Sequence, residues 1–155
     1  GGYRRINSKL EPGHVIIAHT EQVRNRWRIS EVSCCTTPSE IGEAFYIWYL
    51  GYFGDRQQGE FHNPLVDRAY RDSGFLSKGL IQQVDEFLAG DFRGGYDPFL
   101  LAQDIPGEIG VEPGPGPDTA VVHLNYGENV ERQLRLDFVR KNGALLIDRI
   151  TERLP

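Results

Sequence analysis

The chain has 155 residues, of which 39% are hydrophobic, so it is long enough for one core of ordinary size and too short for two domains. Its net charge is −5, and the 17 basic residues form no block that could neutralise a row of phosphates. The composition therefore argues against nucleic acid as a partner. No apolar run approaches the roughly 20 residues that a membrane-spanning helix needs, so we expect a soluble chain without a transmembrane segment.

Methionine is absent even from position 1, which predicts that an upstream segment was removed. If that segment was an export signal, the protein is periplasmic or part of the cell envelope; otherwise it is cytoplasmic. Cys34 and Cys35 are expected to be plain thiols, because neighbouring cysteines bridge only through a strained ring. A redox pair, a metal half-site and a lipid-attachment cysteine stay open, although the polar residues 24–28 are not the apolar run that lipid attachment requires.

Residues 1–36 are predicted to form an N-terminal extension. Within it, residues 14–18 and 27–30 have the composition of short strands. His14 and His19 are too far apart for one helical face and lie on opposite faces of a strand, so they give no indication of a metal site.

The first strong helix signal begins at Thr37. Thr37, Pro38 and Glu40 supply a capping hydroxyl, a proline at the first helical position and a glutamate at the third. The apolar residues that follow recur at spacings of three and four and form one stripe; they are Ile41, Ala44, Phe45, Trp48 and Tyr52. We therefore predict a helix from Thr37 to Phe53 with one side covered by other elements.

Two more helices are predicted before the strands begin. Asn63 and Pro64 repeat the cap-then-proline signal for a short helix that ends at Tyr70. Ser77 opens another, whose apolar residues again recur at intervals of three and four until Gly90 ends it. Three helical segments thus come first in the chain.

Strand signals fill the C-terminal part. Residues 96–104 are predicted as a buried strand, with Pro98 near its start, where a missing backbone donor is tolerated. Alternation of apolar and polar residues predicts antiparallel strands within 119–126 and 130–140, and a last strand from Ala144 to Ile150.

Turn signals separate these strands. The alternating prolines and glycines of 113–117 predict an exposed hairpin loop, and residues 126–129 and the Asn-Gly pair at 142–143 predict turns. Helices followed by antiparallel strands make an α+β domain. We predict one such domain over residues 37–155, with the N-terminal helices packed in the concave face of a curved, cone-like antiparallel sheet.

Three segments carry a resemblance to a known family: FYIWYL at 45–50, the stretch from Asp97 to Asp104, and LLIDRI at 145–150. Together they resemble the nuclear transport factor 2-like superfamily, cones of curved sheet round a long N-terminal helix with a cystatin-like layout. They are similar to a bacterial branch of domains of unknown function that are often exported or lipid-anchored. The resemblance covers roughly residues 37–154. It implies a fold and no single activity, because the superfamily includes isomerases, dehydratases, cyclases, binding modules and docking domains.

The superfamily's enzymes commonly use an Asp or His that points into the cone as a general base, and three residues are candidates here. Asp97 and Asp104 bracket an apolar segment, and burial would raise the pKa of either carboxyl. Seven residues apart on a regular strand, however, they lie on opposite faces. The alternative is that Asp97 caps the segment and Asp104 starts a turn. His123 is a base if its face of the strand looks inward and a surface histidine if it does not.

Ligand contacts are expected from aromatic and basic side chains. Tyr46, Trp48 and Tyr49 of the first helix could present polar atoms at the mouth of the cone, or simply fill the core with their hydroxyls at its rim. Arg135 could clamp an anion inside the cone, or form an ion pair on a solvated face.

The motifs of nucleophile elbows, phosphate loops and zinc sites are missing, so no metal and no cofactor is expected. The leading hypothesis is a non-catalytic domain that binds a small apolar or amphipathic ligand or a protein. The alternative is a cofactor-free cyclase or isomerase with an Asp or His base. A homodimer through the sheet face is a third hypothesis.

Overall fold

A computed structural model gives the backbone of residues 2–5, 16–23 and 26–34, and both backbone and side chains of 37–54, 59, 61–90 and 95–153. The first part forms a three-stranded antiparallel sheet in the order β1-β2-β3. Its strands are β1 (Gly2–Arg5), β2 (Ile16–Val23) and β3 (Arg26–Cys34). The strand predictions at 14–18 and 27–30 overlap β2 and β3, whereas no sequence signal indicated β1.

Helix α1 (Pro38–Tyr52) begins as the sequence predicts. The Thr37 side chain accepts a hydrogen bond from the backbone N–H of Glu40, and the Glu40 carboxylate accepts one from the backbone N–H of Thr37. This reciprocal capping box satisfies two amides that would otherwise lack a partner. The helix buries Ile41, Gly42, Phe45, Tyr46 and Tyr49 on one face.

The short helix predicted from Asn63 to Tyr70 is wrong. Residues 64–68 form turns, and only the single 3₁₀ turn Ala69–Asp72 follows. The Asn63 side chain accepts from the backbone N–H of Leu65, and Arg68 takes a left-handed backbone with φ of 53°. An α-helix excludes the left-handed conformation, so it cannot pass through Arg68.

Helix α2 (Lys78–Ala89) has Ser77 as its N-cap and Gly90 as its C-cap, as predicted. The Ser77 hydroxyl accepts from the backbone N–H of Leu80 at 3.1 Å and donates to Asp148 Oδ1 at 2.7 Å. The cap therefore also ties the start of α2 to the last strand.

The C-terminal sheet has four antiparallel strands in the order β4-β5-β6-β7. They are β4 (Glu108–Pro113), β5 (Thr119–Asn125), β6 (Glu131–Lys141) and β7 (Ala144–Glu152). The proline-rich loop joins β4 to β5, and Asn142 and Gly143, with φ of 52° and 79°, make the tight turn between β6 and β7. The predicted turns are thus confirmed.

Residues 96–104 do not form the predicted strand. Asp97 and Ala102 pair as a single antiparallel bridge, and the chain between them turns. The Asp97 carboxylate accepts from the backbone N–H groups of Phe99 and Leu100 at 2.8 and 3.1 Å. An aspartate that bonds to amides two and three residues ahead favours a turn over an extended chain.

Both helices pack against one face of the curved, open C-terminal sheet, so the predicted α+β architecture is confirmed. Aromatic side chains fill the space between helix and sheet. The Phe45 ring is fully buried and lies 5.1–5.8 Å, between centroids, from the rings of Tyr46, Tyr49, Phe75 and Phe99. On the sheet side the core is completed by Val122, Leu124, Leu134, Leu136 and Ile147.

Candidate functional site

Residues 97–102, here called the 97–102 loop, close on themselves at one end of the sheet. The backbone N–H of Asp97 donates to the carbonyl of Ala102 at 2.8 Å. Inside the loop, Leu101 has a left-handed backbone with φ of 49°, a conformation that costs a leucine about 1–2 kcal/mol. Such a conformation persists only where the surroundings hold it in place.

Two tyrosine hydroxyls of helix α1 form hydrogen bonds with the loop. The Tyr46 hydroxyl donates to the carbonyl of Phe99 at 2.7 Å, and the Tyr49 hydroxyl donates to Asp97 Oδ2 at 2.6 Å. Both tyrosines are fully buried. Both hydroxyls are thus used to fix the loop, which fits the alternative in which these rings fill the core.

Strand β6 also forms a hydrogen bond with the loop, through Arg132. Arg132 Nη1 donates to the carbonyl of the strained Leu101 at 2.8 Å and lies 3.8 Å from the carboxylate of Glu152. Two elements far apart in sequence, α1 and β6, thus fix one short loop. Neither Arg132 nor Leu101 could be singled out from the sequence, because no local pattern brings them together.

The Asp97 carboxyl is buried within this network. Burial raises its pKa, while hydrogen bonds from Tyr49 and from the amides of Phe99 and Leu100 oppose that shift. Burial, and then the neighbouring Asp97 charge, raise the pKa of Tyr49 far above its usual range, so this hydroxyl remains a donor. Both carboxylate oxygens of Asp97 are occupied, and Asp97 is therefore a structural acid without a free face for proton transfer.

Tyr126 lies at the end of β5, next to this network. Its hydroxyl is buried and has no hydrogen-bond partner in the part of the chain that the structure describes. Burial raises the pKa of Tyr126, the Arg132 charge opposes that shift, and the Asp97 charge adds to it. Tyr126 is also close enough to Tyr46 to contribute to its raised pKa, after burial and Asp97. No sequence signal indicated this buried hydroxyl, since Tyr126 simply continues the apolar alternation of β5.

Two surface clefts flank the 97–102 loop. The first, of about 570 Å³, lies between the loop and the turn that joins β5 to β6; it is lined by Leu101, Asp104, Tyr126, Glu128, Val130 and Arg132, among others. The second, of about 530 Å³, lies between the loop and residues 61–66; it is lined by Phe53, Phe61, Val66, Asp97, Leu100 and Ile105, among others. Both clefts share Tyr96, Gln103 and Asp104, so they are neighbours along one surface.

The exposed apolar side chains gather at these clefts. Within the described residues, six large apolar side chains are exposed, at 40–75%; they are Phe61, Val66, Phe87, Tyr96, Ile105 and Val130. Five of them line one cleft or both, and Phe87 packs on Tyr96 with ring centroids 6.1 Å apart. Grouped exposed apolar residues mark binding surfaces, whereas scattered ones are ordinary. A faint signal was present in the sequence, because Ile105 and Val130 are apolar residues in turn segments.

The two candidate acids, Asp97 and Asp104, were expected on opposite faces of a strand. Asp97 and Asp104 both line the second cleft, because the turn removes the strand geometry that would separate their side chains. Asp97 is buried at 8% exposure, whereas Asp104 is exposed. The structure thus supports Asp97 as a cap, and it leaves Asp104 as an open carboxylate on the shared surface.

His123 and Arg135 lie away from the clefts, on the sheet face opposite the core. His123 Nδ1 is 2.7 Å from Glu131 Oε1, and its Nε2 is 3.2 Å from Glu112 Oε1. Arg135 pairs with Asp137 at 2.8 Å. The alternation of β5 and β6 turns these side chains outward, so His123 takes the surface alternative and Arg135 the alternative of an ion pair on a solvated face.

Trp48 is half-buried and packs on the Phe45 and Tyr52 rings, at centroid distances of 6.0 and 5.9 Å, so it supports the core. His14 and Cys35 lie outside the described residues. Over the described ranges of the chain, no group of three or more His, Cys, Asp or Glu side chains could hold a metal ion. Nor does any helix in those ranges have the length and apolar character to cross a membrane.

Comparison with known proteins gives no relative. No family model, curated protein or solved structure matches this chain. The 97–102 loop, its two clefts and the apolar residues round them form the candidate site in the described part of the chain.

Proposed function

We propose that this protein is a non-catalytic binding domain that holds a small amphipathic ligand in the two clefts beside the 97–102 loop. The observation that carries this proposal is the gathering of the exposed apolar side chains at these clefts. Burying such side chains under a ligand removes apolar area from water, at about 25 cal/mol per Å². A loop fixed by Tyr46, Tyr49 and Arg132 loses little further entropy on binding, which favours affinity.

A cofactor-free isomerase or cyclase is less well supported. Such an enzyme needs a base with access to the substrate and a donor facing the same space. Asp97 and Tyr49 do lie within hydrogen-bond reach, but they are used by each other and by the loop. His123 faces the opposite side of the sheet, between two glutamates.

We also propose that the domain belongs to the nuclear transport factor 2-like superfamily, in its bacterial and exported branch. A capped N-terminal helix under a curved antiparallel sheet is the arrangement that this family implies. The cell compartment is likewise a proposal, because export is inferred only from this assignment to the superfamily. For a homodimer through the outer sheet face there is less support, because that face carries the paired charges of Glu131, Arg135 and Asp137.

Titration with Nile red, an uncharged apolar dye, tests the binding site. The dye should bind saturably, and Tyr96→Ser and Ile105→Ser should each weaken binding roughly tenfold, since each removes one large apolar contact. Leu146→Ser is the matched control, because Leu146 is a half-buried apolar residue of β7 that lies outside both clefts. Absence of saturable binding, or equal losses in all three variants, would count against the proposal.

A further inference from the structure

The charged groups along the two clefts differ in how far they are compensated. Four titratable side chains carry charge there: Asp97, Asp104, Glu128 and Arg132. Three are acids and one is a base. Which of these charges a ligand would meet depends on the partners that each one already has within the protein.

Arg132 and Asp97 already have partners. Arg132 donates to the carbonyl of Leu101 and faces the carboxylate of Glu152 across 3.8 Å. Asp97 is buried and accepts three hydrogen bonds, one of them from Tyr49. Their charges are therefore largely balanced, or screened from the open surface.

Asp104 and Glu128 are different. Both are exposed, and neither has a hydrogen bond or an ion pair with another described residue. Both line the first cleft together with the aromatic rings of Tyr96 and Tyr126. Carboxylates attract a cation directly, and the faces of aromatic rings attract it through their quadrupole.

The backbone of the β5–β6 turn adds a supporting observation. Glu128 and Asn129 occupy its two central positions with φ of 49° and 66°, and the N–H of Val130 donates to the carbonyl of Gly127 at 2.8 Å. This turn type favours Asn, Asp or Gly at both centres. A glutamate there is an unfavourable choice for folding, and its carboxylate lies at the cleft.

We infer that the ligand is an amphiphile with a cationic head, such as an alkylammonium, whose head lies between Asp104 and Glu128 and whose apolar part contacts Tyr96 and Ile105. This inference rests on the proposed function and adds the charge of the ligand. The shared surface of the two clefts suits such a molecule, since the carboxylates face the first cleft and most of the exposed apolar side chains face the second.

Three amphiphiles with the same octyl chain test the inference: octyltrimethylammonium, octyl sulfate and octyl glucoside. Calorimetric titrations below the micellar concentration should show the cation binding about five- to tenfold more tightly than the neutral glucoside, and the sulfate more weakly than both. The advantage of the cation should shrink as salt is added, because both carboxylates are exposed to solvent.

Variants locate the head group. Asp104→Asn and Glu128→Gln should each lower the affinity for octyltrimethylammonium about threefold or more, and leave the affinity for octyl glucoside unchanged. Glu43→Gln is the matched control, because Glu43 is an exposed carboxylate on α1 outside both clefts. Its affinity for the cation should equal that of the wild type. Equal losses in all three variants would show only an effect of net charge and would overturn the inference.

The outcomes separate the two proposals. If the glucoside binds as tightly as the cation, or the sulfate binds best, the inference on head-group charge is overturned and the binding site stands. If none of the three amphiphiles binds and Nile red also fails, the proposed function falls together with the inference.

Discussion

Tyr49 in the middle of helix α1 donates a 2.6 Å hydrogen bond to Asp97, 48 residues later in the chain. The same carboxylate holds the turn of the 97–102 loop through two backbone amides. One buried acid therefore fixes a surface loop to the main helix. The loop separates the two clefts, so the geometry of the proposed binding surface depends on this contact in the core.

Three tyrosine-to-phenylalanine variants test that dependence. Tyr49→Phe should lower the free energy of unfolding by about 2 kcal/mol, because it removes a donor from a buried carboxylate. Tyr46→Phe, which removes the donor of the Phe99 carbonyl, should cost about 1 kcal/mol. Tyr126→Phe should leave stability unchanged or raise it, because its buried hydroxyl has no partner among the described residues. Urea unfolding measures all three, and equal losses would contradict this account.

Two glycines of α1 provide a matched test of packing against the sheet. A Cβ added at Gly42 would lie 2.9 Å from Leu136 Cδ1 and 3.3 Å from Val111 Cγ1, whereas none of the described atoms lies within 4 Å of a Cβ added at Gly51. Gly51→Ala should stabilise the protein by about 0.5–1 kcal/mol through helix propensity. Gly42→Ala should destabilise it by about 1 kcal/mol, because overpacking outweighs that gain. Thermal unfolding would refute the close approach if both variants were stabilised.

Much of the domain follows from local sequence signals. The capping box at Thr37, the serine cap at Ser77, the strand alternation of β5 and β6 and the Asn-Gly turn at 142–143 each indicate an element through short-range chemistry. These signals suffice for the α+β class, because the elements have few ways to bury their apolar faces.

The 97–102 loop and the two clefts could not be predicted from local sequence signals. The run of apolar residues after Asp97 fits a buried strand. That this segment turns becomes clear only from the hydrogen bonds that the Asp97 carboxylate accepts from backbone N–H groups. The contacts of Arg132 with Leu101, and of Tyr46 with Phe99, join residues 31 and 53 positions apart. Such pairs depend on the assembled fold, and no periodicity records them.

His123 predicts a pH dependence of stability. The hydrogen bonds that His123 donates to Glu131 and then to Glu112, opposed by burial, raise its pKa above the ordinary 6.5. Its contribution to stability is therefore complete below pH 6.5 and is lost as the pH rises through the folded-state pKa. The pKa of Glu131 is lowered from 4.5, chiefly by the hydrogen bond with His123, so its contribution is present above that value and is lost as the pH falls through the lowered pKa.

Urea unfolding of His123→Gln between pH 4 and pH 9 measures this effect. The variant should be less stable than the wild type at about pH 5–6, where both groups are charged, and the difference should shrink as the pH rises through the folded-state pKa of His123. Glu131→Gln should reduce the same difference, since it removes the first cause of the shift in the His123 pKa. A gap between wild type and His123→Gln that stays constant over the whole range would show that packing, and not charge, is responsible.

Glu128→Asn should separate stability from binding. Asparagine tolerates the left-handed backbone better than glutamate, so the variant should be more stable by about 0.5–1 kcal/mol. It also removes a carboxylate from the first cleft and should therefore bind octyltrimethylammonium more weakly than the wild type. A gain in stability together with a loss of affinity is expected where a residue is kept for function at the expense of folding.

The turn between β6 and β7 allows the reverse substitution, asparagine to glutamate, as a control. Asn142 has a φ of 52°, close to the 49° of Glu128, and it lies outside both clefts. Asn142→Glu should therefore lower stability by about the amount that Glu128→Asn gains, and leave the affinity for octyltrimethylammonium unchanged. If Glu128→Asn is instead less stable than the wild type, the glutamate contributes to folding, and the turn no longer supports a binding role for its carboxylate.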